Sequence, residues 1–283
     1  MSLQVVRNDG PTIEELTQQR DQAWRERDEA VAQVKVLDNL LKIVDAHRAP
    51  KIRKGRNVAA GNVRGWGLQL GGLAGAVVSL PDFMVAFDDA GGRALSDLNK
   101  FVNIYLILRY GLDQIEGDIL ELGTYRGGTA LFIASLLKQW GRKSVVYGLD
   151  TFEGMPAVDE GIDMFRKGDL VASMEDLVSY RDQRGLTEYL VPVKGLFDQT
   201  LPKLDRKWAL VHVDCDIYEP IRWSLPFMHP NLVPGSYVIF DDCLQGACLG
   251  ALEAAEEEYV QGMKLHAEQA FPHLVFRPKG AAS

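Results

Sequence analysis

The chain has 283 residues, 47% of them hydrophobic, and a formal net charge of −8. So much apolar sequence can bury one large core with an appendage, or two smaller ones. The acidic balance argues against a nucleic-acid backbone as partner, because no excess of Lys and Arg is available to displace counterions.

Residues 1–15 hold Arg7, Asp9, Glu14 and Glu15 and lack the apolar run of a secretory leader. Thr12 with Glu15 three residues on forms a capping box. A helix is predicted from there to about Ala46, with no Gly or Pro to interrupt it. Leu16, Ala23, Ala30, Leu37 and Val44 recur every seven residues, with Ile13, Val34 and Leu41 on the second seam and Arg20 and Arg27 spoiling its middle. This weak coiled coil predicts either a helix for homo-oligomerisation or docking of a partner protein, or a helix packed on its own domain.

Residues 49–64 are Gly-rich and basic, a linker by composition. Residues 65–81 lack charge but are too short and too rich in glycine for a membrane span, so they read as a buried or substrate-lining segment. Three units follow from this reading: an N-terminal helix over 1–50, a linker and substrate-side segment over 51–100, and a catalytic domain over 101–283. A helix is predicted over 95–111, capped by Ser96, with Phe101, Ile104, Tyr105 and Leu108 on one face.

Asp118-Ile-Leu-Glu-Leu-Gly-Thr-Tyr-Arg-Gly-Gly-Thr129 then reads as a buried strand, a tight turn and a helix start. Gly123, Gly127 and Gly128 permit a sharp turn and close approach of a ligand, and the helix behind them presents free N–H groups. The spacing is Glu-x-Gly-x-x-x-Gly-Gly, so the dinucleotide fingerprint is not met. Glu121 at the strand end suits a cationic ligand better than a pyrophosphate. S-adenosylmethionine, with its ammonium and sulfonium, fits that carboxylate.

Further strands are predicted over 144–149, 190–194, 208–213 and 236–240, with helices over 170–185, 220–228 and 251–261 between or beyond them. Two closing strands, 263–267 and 273–277, complete an antiparallel edge. Strands alternating with helices imply an α/β sheet covered on both faces, in the seven-stranded class I methyltransferase layout. Asp150 ends the second strand, where a carboxylate accepts from ribose hydroxyls. Phe152 is an aromatic that could stack on adenine.

Two strands end in carboxylates, Asp214 and Asp216 after one and Asp241 and Asp242 after the other. In an open α/β sheet the ligand sits beyond the strands' carboxyl ends, so these four should converge. Such a cluster repels itself unless a cation sits among it, and Mg²⁺ with Asp214, Asp241 and Asp242 as ligands resolves that. Helix capping by Asp216 and Asp242 is the simpler reading, but it does not require doubled aspartates at two strand ends. Asp216 is the candidate base for an acceptor hydroxyl, beside Asp214. His212, among apolar neighbours in a strand, reads as a core histidine, and His229 before Pro230 reads as a helix cap. Cys215, Cys243 and Cys248 cannot all pair, lack zinc-site spacing, and read as reduced thiols of a cytoplasmic protein.

The blocks Glu121–Thr129, Asp150–Pro156, Gly195–Pro202, Asp214–Pro220 and Gly235–Asp242, in that order, resemble the macrocin O-methyltransferase family. The resemblance implies methylation of a sugar hydroxyl of a glycoside acceptor, with S-adenosylmethionine and Mg²⁺. It implies that Glu121, Gly123 and Asp150 contact the donor, and Thr124, Tyr125, Thr129, Phe152 and Gly195 are the further candidates around it. It also implies that Asp214, Asp241 and Asp242 hold the metal and Asp216 stands at the base position. Gly235-Ser-Tyr237 departs from the family's Gly-Gly-Tyr, and the long N-terminal helix is not a general family feature. A phenol or catechol acceptor and a catalytically lapsed scaffold remain as alternatives. A nicotinamide oxidoreductase is disfavoured by Glu121 and the glycine spacing.

Overall fold

The computed structural model describes residues 72–278 apart from 157, 159–161, 164 and 244–247, together with scattered helical positions between 18 and 34 and a two-residue antiparallel ladder, Ile52–Arg53 with Arg56–Asn57. The heptad residues 13, 16, 37, 41 and 44, and residues 65–71, lie outside this description. Ala23, Ala30 and Val34, which lie within it, are helical and exposed.

Three helices precede the sheet: α1 (Gly72–Val78), α2 (Pro81–Ala90) and α3 (Leu98–Leu106). Pro81 opens α2, where its fixed φ suits a first turn. Gly91 closes the helix in the left-handed conformation, its N–H returning to Asp88 O. The cap of α3 is Asp97 rather than Ser96. Its carboxylate accepts from the N–H groups of Asn99 at 2.8 Å and Lys100 at 3.3 Å, which frees the Ser96 hydroxyl to face elsewhere. The helix then runs into a π-helical turn, Ile107–Gly111.

The sheet has six strands: β1 (Asp118–Leu122), β2 (Val146–Asp150), β3 (Leu190–Lys194), β4 (Trp208–Val213), β5 (Leu232–Phe240) and β6 (Leu274–Phe276). Their order is β3-β2-β1-β4-β5-β6, parallel except for β6, which runs antiparallel to β5. Helices α4 (Gly128–Gln139), α5 (Met174–Gln183), α6 (Phe197–Thr200), α7 (Tyr218–Met228) and α8 (Leu249–Ala255) make the crossovers.

The seventh strand, expected over 263–267, is absent from this sheet. A π-helical turn, Glu256–Gly262, ends there, and the amides of Met263 and Leu265 bond back to its Glu258 and Tyr259 carbonyls. Lys264 stands at φ +57. A backbone spent on closing a helix has no donors left for a ladder.

Alternation along the strands splits the core. Ile119, Leu210 and Ile239 pack with α1 to α4, where Phe132 meets Phe83 and Phe101 edge-to-face at 5.3 and 4.9 Å. Leu120, Leu122, Val211, Val213 and Phe240 pack on the other face with α7, α8 and Tyr259. No described helix is long and apolar enough to cross a membrane.

His229 is the C-cap residue of α7, as expected, and its Nε2 lies 2.7 Å from the Tyr259 hydroxyl. Burial pushes this imidazole down from the ordinary 6.5 to about 4, and the Glu258 carboxylate 3.5 Å from Nδ1 does not offset it. The unfolded chain therefore takes up a proton near pH 6.5 that the folded chain refuses until about 4. The stabilisation is complete above the unfolded value and is lost as pH falls through this window. Replacing His229 with Gln, which retains a partner for Tyr259, should remove about 2 kcal/mol of the stability lost between pH 8 and pH 5. Urea denaturation of both proteins at the two pH values measures it, and equal losses would refute the assignment.

Candidate active site

Strand order reverses between β1 and β4, and the cavity opens beyond their carboxyl ends, where a doubly wound sheet places its ligand. Glu121, Gly123, Thr124, Tyr125 and Thr129 line it from the β1–α4 turn and Asp150 from the end of β2. Asp214, Asp216, Asp241 and Asp242 line it from β4 and β5. Leu95 and Ser96 before α3, and Met155, Phe165 and Leu170 after β2, close the wall.

Gly123 carries the turn at φ +90 because a Cβ there would stand 1.9 Å from the Asp214 carbonyl oxygen. Only glycine lets β1 end this close to β4. Tyr125, at φ +50, follows and donates its N–H to Asp150 Oδ2 at 2.7 Å. Asp150 Oδ1 accepts the Phe152 N–H, also at 2.7 Å. Burial raises the Asp150 carboxyl above its ordinary value against the pull of these backbone bonds.

Two of the expected donor residues lie off the cavity wall. Phe152 sits in a left-handed turn at φ +55 that sends its ring into the core. Gly195 spends its N–H on the Asp150 carbonyl, and the next two residues, Leu196 and Phe197, reach the wall instead.

Glu121 is 1% exposed. Its Oε1 lies 3.1 Å from His212 Nδ1, while its Oε2 has no hydrogen-bond partner. The Thr124 hydroxyl is likewise buried and unpartnered. Orphaned buried polar atoms are costly, and here a carboxylate oxygen and a hydroxyl on one cavity wall await polar groups of a ligand. The pair fits a donor that brings an ammonium.

The carboxylates beyond β4 and β5 do converge. Oxygens of Asp214, Asp241 and Asp242 lie within 4.8 Å of one another. Burial raises Asp214 and Asp242 well above the ordinary carboxylate range, and the neighbouring Asp241 pushes both further. Asp241 goes the other way. Burial opposes its charge, but His212, His273 and Lys100 hold it well below that range. Lys100 pairs with Oδ2, and Oδ1 is approached by His273 Nε2 at 2.9 Å, the Ser96 hydroxyl at 3.4 Å and His212 Nε2 at 3.5 Å. One buried ammonium does not balance this many carboxylates. Three hard oxygen donors, two of them, Asp214 and Asp242, still under repulsion, fit a divalent ion of the Mg²⁺ class.

Asp216 sits at φ +62, an uncommon conformation for a non-glycine residue that is often found at functional sites. Its Oδ1 accepts from the Cys248 thiol at 3.3 Å, and its N–H points to Asp242 Oδ2 at the same distance. Burial leads the causes that raise its pKa. All three cysteines are free and buried, with thiol pKa values pushed up by burial, so they remain neutral.

Sequence reasoning missed Lys100, Ser96 and His273. Lys100 and Asn103 had a signal, being polar groups three apart inside an otherwise apolar helical stretch. His273 had none, since its place against Asp241 follows from the antiparallel return of β6.

Residues 82–268 match the Macrocin-O-methyltransferase (TylF) family. The 8-demethyl-8-(2,3-dimethoxy-alpha-L-rhamnosyl)-tetracenomycin-C 4'-O-methyltransferase of Streptomyces olivaceus is 32% identical over 186 residues, 62% of this chain and 69% of that one. The mycinamicin III 3''-O-methyltransferase of Micromonospora griseorubida is 28% identical over 188 residues, covering 62% and 70%. In three dimensions the chain is similar to the O-methyltransferase NovP, with a TM-score of 0.59 and 23% identity over 73% of this chain and 95% of NovP. That last likeness concerns the fold. The family match spans β1 to β5 and every expected site residue, and the chain belongs to the macrocin O-methyltransferase family.

Proposed function

We propose that this protein transfers the methyl group of S-adenosylmethionine to a sugar hydroxyl of a glycosylated natural product, with Mg²⁺ held by Asp214, Asp241 and Asp242. One observation carries the reading: an unpartnered Glu121 oxygen and an under-compensated aspartate cluster face the same cavity. The first suits the ammonium of the donor and the second suits the ion. The sugar acceptor is supported by the relative named for a rhamnosyl-bearing tetracenomycin. Phenol acceptors and a lapsed scaffold have no such support in the site, and the scaffold reading gives the acid cluster nothing to do.

In this mechanism Glu121 Oε2 accepts from the donor ammonium and Asp150 from the ribose hydroxyls. Thr124, Tyr125 and Thr129 shape the turn around the methionine part, and Met155 and Phe197 offer apolar wall to the purine in place of Phe152. Asp214, Asp241 and Asp242 would hold a divalent ion, which would supply Lewis-acid chemistry to lower the pKa of the acceptor hydroxyl and orient it. Asp216, on the cavity wall beside the three aspartates, takes the hydroxyl proton as the oxygen attacks the methyl carbon in line and the carbon–sulfur bond breaks, releasing S-adenosylhomocysteine.

We also infer a homo-oligomer formed through the N-terminal helix, supported by the heptad residues Leu16, Leu37, Leu41 and Val44. The exposure of Val34, on the second seam, supports it further. The reduced buried thiols support a cytoplasmic setting.

With Mg²⁺ and a panel of glycoside and catechol acceptors, release of S-adenosylhomocysteine should be seen for glycosides. Asp214→Asn and Asp241→Asn should each abolish turnover, and Asp216→Asn should lower kcat by about a hundredfold or more. All three should still bind S-adenosylhomocysteine in calorimetry. Dialysis against a chelator should stop turnover until Mg²⁺ is restored. Near-wild-type rates in the Asp214 and Asp241 variants would sink the metal assignment, and a catechol-only response would move the acceptor class. A chain starting at Lys51 should sediment as a smaller species than the full-length protein, and an unchanged oligomeric state would end the docking role of the helix.

A further inference from the structure

His212 stands between the two halves of the cavity and has no part in the roles assigned above. It is fully buried in β4, opposite Glu121 of β1 on one side of the parallel ladder and Ile239 of β5 on the other. Nδ1 lies 3.1 Å from Glu121 Oε1 and Nε2 lies 3.5 Å from Asp241 Oδ1. One imidazole therefore hydrogen-bonds a carboxylate of the donor side and lies beside a carboxylate of the acid cluster without a hydrogen bond to it. An isolated core histidine would need neither.

The far side of Asp241 is fixed independently. Gln269 Nε2 donates to the Phe271 carbonyl at 2.9 Å and to Asn103 Oδ1 at 2.8 Å. Asn103 therefore presents its amide N–H to His273 Nδ1 at 3.0 Å, which leaves the His273 proton on Nε2, aimed at Asp241 Oδ1. Lys100 occupies Oδ2. Asp241 is thus held from behind by groups other than His212, whose Nε2 makes no hydrogen bond.

The Glu121 side chain, by contrast, has His212 as its one hydrogen-bonded neighbour given by the structure. A buried carboxylate that loses its single donor is left unsatisfied, and Oε2 is then no longer held in place for an ammonium. We propose that His212 is a positioning residue: held within β4, it anchors Glu121 Oε1 through Nδ1 so that Oε2 faces the donor. This rests on the reading that Glu121 binds the ammonium of S-adenosylmethionine.

Isothermal titration with S-adenosylhomocysteine, which keeps that ammonium, tests the proposal in the full-length protein. An Asn side chain places its amide nitrogen near the Nδ1 position and a Gln near Nε2, so the two variants separate the contacts. His212→Asn should bind within about threefold of wild type, whereas His212→Gln and His212→Leu should bind about tenfold or more weakly, the loss expected for one hydrogen bond to a charged group. Adding His212→Leu to Glu121→Gln should weaken binding no further than Glu121→Gln alone, because the two act through one contact. Near-ultraviolet circular dichroism checks that each variant is folded, and the Asn and Gln pair decides the matter if Leu is not.

Equal affinity in all variants overturns the proposal, as does equal weakening by Asn and Gln, or additive losses in the double variant. A wild-type protein that does not bind S-adenosylhomocysteine overturns the donor reading and this inference with it. Wild-type binding that His212→Gln leaves unchanged overturns this inference alone.

Discussion

Asp241 is the point at which the site is assembled. Its two oxygens meet Lys100 and Ser96 from the α3 region, His212 from β4 and His273 from the turn into β6. Segments more than a hundred residues apart in sequence are brought together by one carboxylate. Removing such a group leaves several buried donors without a partner, which is why its loss would be felt through the packing as well as the chemistry. Asp214 and Asp242, beside it, are raised where Asp241 is lowered. The protein neutralises one carboxylate of the cluster with its own cations and leaves Asp214 and Asp242 under mutual repulsion.

Helix α3 shows how a single element serves both core and site. Phe101, Ile104 and Tyr105 fill the aromatic cluster with Phe83 and Phe132, while Lys100 and Asn103, three residues apart on one face, enter the polar network. An ammonium is tolerated there because burial, which alone would drive the proton off, is outweighed by Asp241, Asp214 and Asp242. The helix is consequently buried nearly all round. Its polar residues are no more solvent-facing than its apolar ones.

Much of this was legible in the sequence. The strands β3 and β4 were placed to the residue, and ten of the twelve expected site residues line the cavity, because strand ends marked by glycine or aspartate carry both the fold signal and the chemistry. Helices α1 and α2 were not assigned, since Gly72 and Gly75 hide the helical period of α1 and the packing of α2 against α4 is a tertiary effect. Phe152 was misplaced because a left-handed turn reverses the direction of a side chain without leaving any mark on composition. The expected strand over 263–267 had the right residues, but its amides were already committed to closing a helix.

The contact of Glu121 with His212 could not have been read from periodicity, and the reason lies in a register shift. At the start of the ladder Asp118 faces Trp208, and continuing that pairing would set Glu121 opposite Val211. The pairing instead shifts by one between Asp118 and Ile119, so that Ile119 faces Leu210 and Glu121 faces His212. Ala209 is the extra residue, and a Cβ on Gly117 would stand 2.8 Å from its nitrogen. The same residue is skipped where β4 meets β5. A one-residue slip ordinarily moves side chains to the opposite face, and here it does constructive work. It sets His212 level with Glu121 on the face covered by α3, and Val211 and Val213 in the opposite core. The bulge lies near the start of the strand and the cavity lies at its end. The alignment of a donor-side carboxylate with its histidine is therefore decided at the far edge of the sheet, by an alanine that touches neither.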